Sequence, residues 1–260
     1  MISACKEIRK NLLKISHVSG HGHIPSCFSV IESIYAVYSA IRHDSKNPSW
    51  NKRDIFILSK GHAALAHYCI LADFGYFDIS AINSFGAFCS NFGCHACRCN
   101  VPGIEVSTGS LGHGIGVGVG MALAFKIQKN DRRVFVLIGD GEANEGTVWE
   151  AVMVATDIRL DNLTVIYDNN MSQLRGLQIH NPYERFKAFG CDVAAVNGHD
   201  VDCLKSEIVS RGNNTKIIIA NTKKGYGCKT LIENQHEWHR KSPDDLELKK
   251  LLGELDEEAI

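Results

Sequence analysis

The chain has 260 residues, 45% hydrophobic and 22% charged, with a formal net charge of −1. That length can bury a large core, the composition is ordinary for a globular protein, and the balanced charge leaves no bulk electrostatic case for nucleic acid or a membrane surface as partner. No apolar run is long enough to span a bilayer, the opening residues do not read as an export signal, and the ten cysteines read as reduced thiols of a cytoplasmic protein.

The opening MISACKEIRKNLLKIS is charged and amphipathic and predicts a helix over residues 4–16. A second helix is predicted over 29–41, with Ser29 as N-cap and Glu32 three residues on, the spacing of a capping box. DIFIL (54–58) reads as a buried strand, and GHAALAHYCILADFG as a helix ending near Gly75. Residues 109–120 are glycine-rich and lead into a helical segment over 120–129. RRVFVLI (132–138) is apolar and β-prone, as a buried parallel strand should be. A helical stretch separates it from LTVIY (163–167). A helix near 182–189, a strand over 191–196, a helix over about 200–210 and a strand over 216–220 follow. The charged tail, about 244–260, predicts a surface helix. Strands alternating with helices predict an α/β fold, a doubly wound and mainly parallel sheet in one domain spanning 1–260.

The two central strands end in unusual residues. Gly139-Asp140-Gly141 follows the first, and the glycines there let the backbone turn sharply and approach a ligand closely. Asp140 would sit at the carboxyl end of its strand, where open α/β sheets bind ligands. The second strand runs into Asp168, Asn169 and Asn170. A carboxylate and an amide carbonyl offered to one hard cation suit Mg²⁺, which takes oxygen ligands and keeps substrate phosphates in its shell. This segment resembles the diphosphate-binding signature of thiamine-diphosphate enzymes. The resemblance implies that Asp140 and Asn170 bind the metal through side chains and Ser172 through its main-chain carbonyl. Mg²⁺, with Ca²⁺ or Mn²⁺ as substitutes, would then hold the diphosphate of the cofactor thiamine diphosphate.

The resemblance extends over about residues 5–245 and is to transketolase, particularly the shorter subunit of transketolases split into two chains. It is carried by SGHGHIPSCFSVIE, RDIFILSKGHAALAHYCILADFGYF, GCHACRCNVPGIEVSTGSLGHGIGVGVGMALAFK, NGHD, TKKGYG and EWHRKSP. It implies a diphosphate-type binding domain, with His23, His95 and His239 as active-site histidines and His62 against the cofactor. Gly109, Ser110, Leu111, Gly139, Gly141 and Glu142 would approach the cofactor as well. Glu145 reads as a first-turn acid on the helix dipole; by resemblance it is also the glutamate that lies at a subunit interface and links paired active sites. Imidazoles that are neutral or protonated near physiological pH suit the proton movements of ketol transfer. The cofactor is the electron sink in such chemistry, while the protein positions it. The other histidines, His17, His21, His43, His67, His180, His199 and His236, read as surface or core.

Several positions depart from the family pattern: Pro25 and Ser26, the residues Cys94, Ala96 and Cys97 around His95, His113 in the glycine-rich loop, and Met171 and Arg175 around the second metal segment. They allow a specialised substrate or weakened activity. The run Cys94-His95-Ala96-Cys97-Arg98-Cys99 also admits a zinc or redox reading, although a structural zinc site wants four ligands. The expected function is transfer of a two-carbon ketol unit from a ketose, or ketose phosphate, to an aldose acceptor. Alternatives are another thiamine-diphosphate reaction, such as deoxyxylulose phosphate synthesis or 2-oxoacid decarboxylation, and a noncatalytic cofactor-binding subunit. By resemblance, turnover requires a separate subunit carrying the pyrimidine-binding and C-terminal domains, in an α2β2 assembly.

Overall fold

Five short apolar runs form β1 (Ile55–Leu58), β2 (Val134–Gly139), β3 (Leu163–Asn169), β4 (Asp192–Asn197) and β5 (Lys216–Asn221). The computed structural model describes residues 2–173 and 176–257. The strands lie in the order β1-β2-β3-β5-β4, and every neighbouring pair is parallel. Along β1, Phe56 and Leu58 enter one core while Ile55 and Ile57 enter the other, the period-two alternation of a strand covered on both faces.

The helices in chain order are α1 (Ser3–Ser19), α2 (Ile24–Phe28), α3 (Ile31–Tyr38), α4 (Ala64–Asp73), α5 (His113–Ile127), α6 (Gly146–Asp157), α7 (Pro182–Ala188), α8 (Val201–Val209), α9 (Lys229–Glu233) and α10 (Asp245–Glu257). Side chains of α1 to α4 and α8 to α10 fill the core on one face of the sheet, and those of α5, α6 and α7 fill the other. Helices on both faces of a parallel sheet are the doubly wound arrangement read from the β-α alternation.

Three local expectations are corrected. The helix expected over 29–41 is shorter, α3 over Ile31–Tyr38, and Ser29 and Val30 separate it from the preceding α2. Ser29 caps nothing: its hydroxyl donates to Ser26 O at 3.0 Å and Asp168 Oδ2 at 2.8 Å. Glu32 points into the core, where Arg9 grips it at 2.6 and 2.8 Å. A buried ion pair outcompetes a local cap because an unpaired buried carboxylate costs more than a missing capping bond. The helix expected from residue 120 begins at His113, so Gly114, Gly116, Gly118 and Gly120 of the glycine run lie inside α5 and only Gly109 and Gly112 precede it. Gly118 belongs there because a Cβ would come within 2.5 Å of Val136 Cγ2; its absence lets α5 press onto β2. The charged tail is seated as well as exposed: α10 lies against α1 and buries Leu251 and Leu255 completely.

Candidate active site

At the carboxyl ends of the strands lies a cavity of about 330 Å³. The β2–β3 register pairs Gly139 with Asp168 and so brings Asp140 and Asn170 to the same cavity. Ser172 joins them: its hydroxyl donates to Asp140 Oδ1 at 2.5 Å and its amide to Asn170 Oδ1 at 3.0 Å. The amide nitrogen of Asn170 donates to Asp168 Oδ2 at 2.8 Å and Ser29 Oγ at 3.1 Å, which turns its oxygen toward Ser172 and away from Asp168. Asp168 is itself buried and neutralised by Lys60 Nζ at 2.6 Å, with Thr222 Oγ1 donating at 2.5 Å.

The donor set fits a hard cation. Asp140 is buried, and its carboxylate accepts from Gly141 N, Ser172 Oγ and Gln173 N, yet it forms no ion pair among the described residues. Lys224, in the same cavity, feels its charge without pairing to it directly; a buried carboxylate with no direct ion pair is costly, and a divalent ion beside it would lower that cost. Carboxylate, amide and peptide oxygens are the ligands Mg²⁺ and Ca²⁺ prefer. Met171, between Asn170 and Ser172, is held at φ 57°, a left-handed conformation uncommon for a non-glycine residue and most often kept at functional loops.

Glu142 closes the inner end. Its carboxylate accepts from Gly112 N at 2.9 Å, Gly139 N at 3.1 Å and the Ser59 hydroxyl, so it ties the glycine loop to the ends of β1 and β2. Burial raises its pKa against those hydrogen bonds. Gly109 lies under the His95 ring, where a Cβ would stand 3.2 Å from the imidazole.

Four imidazoles line the outer part: His23, His62, His95 and His239. The His23 ring lies 5.5 Å from His62 and 5.2 Å from His239, and His23 N donates to His239 O at 3.1 Å. His23 takes φ 67° at the start of α2, a second strained residue in the same cavity. Burial, then the neighbouring positive charges, hold His23 down to about 4. His62 is pushed to about 2 by burial and Lys60, and His239 is lowered by burial and Lys224. At neutral pH His23 and His62 are therefore neutral and able to accept a hydrogen bond or a proton.

The cavity unites His23, His62, His95, His239, Gly109, Leu111, Gly139, Asp140, Gly141, Glu142, Asn170 and Ser172. Ser110 and Glu145 do not line it. Ser110 is exposed and pairs with His113 Nδ1 at 3.3 Å. Glu145 is exposed at the N-cap of α6, its Cβ against Gly112. Arg175 lies outside the described residues. No three His, Cys, Asp or Glu side chains among the described residues are grouped to hold a metal, so the cysteine-rich run around His95 builds no zinc site there. Sequence reasoning missed Ser26, Lys60, Gln173 and Lys224, all of which line the cavity. Lys60 stands inside the quoted SKGH and Lys224 inside TKKGYG, but a lysine beside glycine carries no sign of burial. Lys224 is 7% exposed, and burial next to Lys60 lowers it to about 8.

Comparison with known proteins converges on one description. The family described as "Transketolase, thiamine diphosphate binding domain" matches residues 3–255. The chain is 36% identical over 262 residues to one subunit of the apulose-4-phosphate transketolase of Actinobacillus succinogenes, covering 97% of this chain and 95% of that protein. It is 35% identical over 265 residues to a 6-deoxy-6-sulfo-D-fructose transketolase subunit of a Clostridium species, covering 97% and 94%. The crystal structure of transketolase from Campylobacter jejuni superposes with a TM-score of 0.87 at 27% identity, over 98% of this chain and 43% of that one. The chain thus spans nearly all of the two subunits and less than half of that solved chain.

Proposed function

This chain belongs to the transketolase family through its thiamine-diphosphate-binding domain, and from that premise we propose that it is the diphosphate-binding subunit of a two-chain transketolase. It transfers a two-carbon ketol unit from a ketose or ketose phosphate donor to an aldose or aldose phosphate acceptor, and the relatives' names favour this over deoxyxylulose phosphate synthesis or 2-oxoacid decarboxylation. In this reading the whole chain is one domain of a cytoplasmic protein; among the described residues no helix is long and apolar enough to cross a membrane. The observation that carries the proposal is the meeting of Asp140, Asn170 and four imidazoles in one cavity.

When bound, thiamine diphosphate supplies the electron sink for cleaving a carbon–carbon bond beside a carbonyl. The chain's own residues divide the remaining work. Asp140, Asn170 and the Ser172 carbonyl would hold the cation that binds the diphosphate, and Lys224 would add a positive charge for that anion. Gly109 to Leu111, in the loop leading into α5, would offer main-chain groups to the cofactor. His23 and His62, neutral at physiological pH, accept hydrogen bonds, and His23, His95 and His239 move protons at substrate oxygens. The partner subunit supplies the pyrimidine-binding and C-terminal domains, in an α2β2 assembly.

The test mixes the chain with its partner subunit, thiamine diphosphate and Mg²⁺ and follows ketol transfer from a ketose phosphate. Turnover is expected from the mixture and not from either chain alone. Robust transfer by this chain alone would sink the split-enzyme reading, and release of carbon dioxide from a 2-oxoacid without ketose turnover would replace it with a decarboxylase.

A further inference from the structure

Lys224 enters the cavity from the segment after β5, and nothing on that segment alone explains its aim. Gly225 N donates to Pro25 O at 3.0 Å, and Thr222 N to Asn169 O at 3.2 Å. Between them, Lys223 N donates to His199 Nε2 at 2.8 Å. His199 comes from the loop between β4 and α8, and its side chain is 6% exposed. Its ring stacks on Tyr226 at 3.6 Å and 13°, and its Nδ1 lies 3.1 Å from Glu32 Oε2. Glu32 is fully buried and clamped by Arg9, whose Nε also donates to Tyr226 O at 2.9 Å. The two ends of the Lys223–Tyr226 turn are thus tied to one buried cluster drawn from α1, α3 and the β4–α8 loop.

The hydrogen bonds dictate the tautomer. Nε2 accepts from a peptide N–H, so a neutral ring carries its proton on Nδ1 and donates it to Glu32. A purely apolar ring could stack on Tyr226 but could not hold the Lys223 amide.

We infer that His199 is a positioning residue: its Nε2 fixes the Lys223 amide, and that bond aims the adjacent Lys224 ammonium at the anion held in the cavity. Glu32 and Arg9 hold His199 in turn. The inference rests on the proposed reading of the cavity as a diphosphate site, and its test separates the two.

The variants are H199F, which keeps the stack and loses both polar bonds; H199N, whose short amide reaches toward Glu32 but not Lys223; and H199Q, whose longer side chain restores an acceptor near Nε2. Each is made in the assembled complex with and without K224A. Thiamine diphosphate affinity is read by titration at fixed Mg²⁺. H199F and H199N are expected to weaken it about tenfold, H199Q to recover most of the loss, and H199F to change it less than about twofold in the K224A background, since coupled residues are non-additive. A merely structural role predicts the same fold-loss with and without Lys224, and that result overturns the inference, as does unchanged affinity in H199F and H199N.

A second readout needs no cofactor. Lys224 is labelled with trinitrobenzenesulfonate near pH 8 and its modification rate followed by mass spectrometry. The rate at Lys224, and not at Lys60 or surface lysines, is expected to change in H199F and H199N and to return in H199Q. An unchanged rate in both overturns the inference. If the wild-type complex binds no thiamine diphosphate, the diphosphate reading falls, and the labelling still judges the positioning of Lys224. Should H199F fail to fold, the H199N and H199Q pair carries both readouts.

Discussion

Asp140 is a buried carboxylate whose hydrogen-bond partners are all neutral: a glycine amide, a serine hydroxyl and a glutamine amide. In the proposed reading a cation beside it would offset the cost of its burial and anchor the site. Asp140→Asn is therefore expected to leave the melting temperature of the cofactor-free chain unchanged or raised, because it removes a buried charge that no direct ion pair offsets. The same substitution should abolish the stabilisation that thiamine diphosphate plus Mg²⁺ confers on the wild type, about 2.7 kcal/mol at a hundredfold excess over Kd. Paired melting curves with and without the ligands check both halves; a destabilised free chain that still responds to the ligands contradicts the assignment. Asp140 and Asn170 are legible in the sequence because strand ends, glycines and oxygen donors leave a local signature. Lys60 and Lys224 are not, since Lys60 is buried against Asp168, far away in the chain, and Lys224 against a cavity whose walls come from several distant segments. Glu32 misleads for the same reason: its partner Arg9 lies on another helix, while the local capping spacing is a coincidence.

Helix α5 shows how far a pattern can carry at the scale of an element. Its sequence is apolar nearly all round, with only His113 and Lys126 as ionisable residues, so periodicity marks no polar face and glycine content hides where the helix begins. Packing resolves the start, because each glycine has its own neighbourhood. Gly118 faces Val136, while Gly116 and Gly120 have nothing within 4 Å of where a Cβ would be. Two substitutions of the same chemistry should thus have opposite signs in the free chain. Gly118→Ala is expected to cost about 1–3 kcal/mol by overpacking against β2. Gly120→Ala is expected to gain about 0.5–1 kcal/mol by stiffening an exposed helical position. Urea denaturation of the two variants decides it; losses of equal size would mean that α5 sits differently on the sheet. The strand runs, by contrast, are recognisable to within a residue or two, because a parallel strand buried on both faces needs continuous apolar residues whatever surrounds it; only the half-exposed edge strand β4 escapes that reason.

Two properties belong to the molecule as a whole. The first is its response to acid. Burial holds His23 at about 4, His62 at about 2 and His67 at about 3, and Arg9 with His199 offsets burial to hold Glu32 at about 2. The unfolded chain takes up protons on its histidines near pH 6.5 while the folded chain does not, so their contribution is complete above about pH 6.5 and is lost as the pH falls toward about 4 for His23, about 3 for His67 and about 2 for His62. The Glu32 contribution is present above its ordinary value of 4.5 and lost as the pH falls toward about 2, in the same direction. Urea midpoints are expected to drop steadily from pH 7.5 to 5, and equal midpoints at both would refute the assignment of neutral buried imidazoles. The second property is exposed apolar surface. α5 and α6 pack together and leave Val117, Met153 and Val154 40–55% exposed, with Gly116 and Gly120 open on α5 and Glu145 at the head of α6. An apolar helix surface of this kind costs free energy in water and is removed by association. The separate subunit proposed for the active site is the partner that such a surface suits. Val117→Glu and Met153→Glu should leave the melting temperature of the free chain within a degree or two, since neither side chain is in the core. Both should weaken assembly with the partner by about tenfold or more, because each places a charge in a desolvated interface. Sedimentation of the mixed subunits at several concentrations measures this directly. Undiminished assembly by both variants would move the interface away from α5 and α6, and with it the reading of Glu145 as an interface residue.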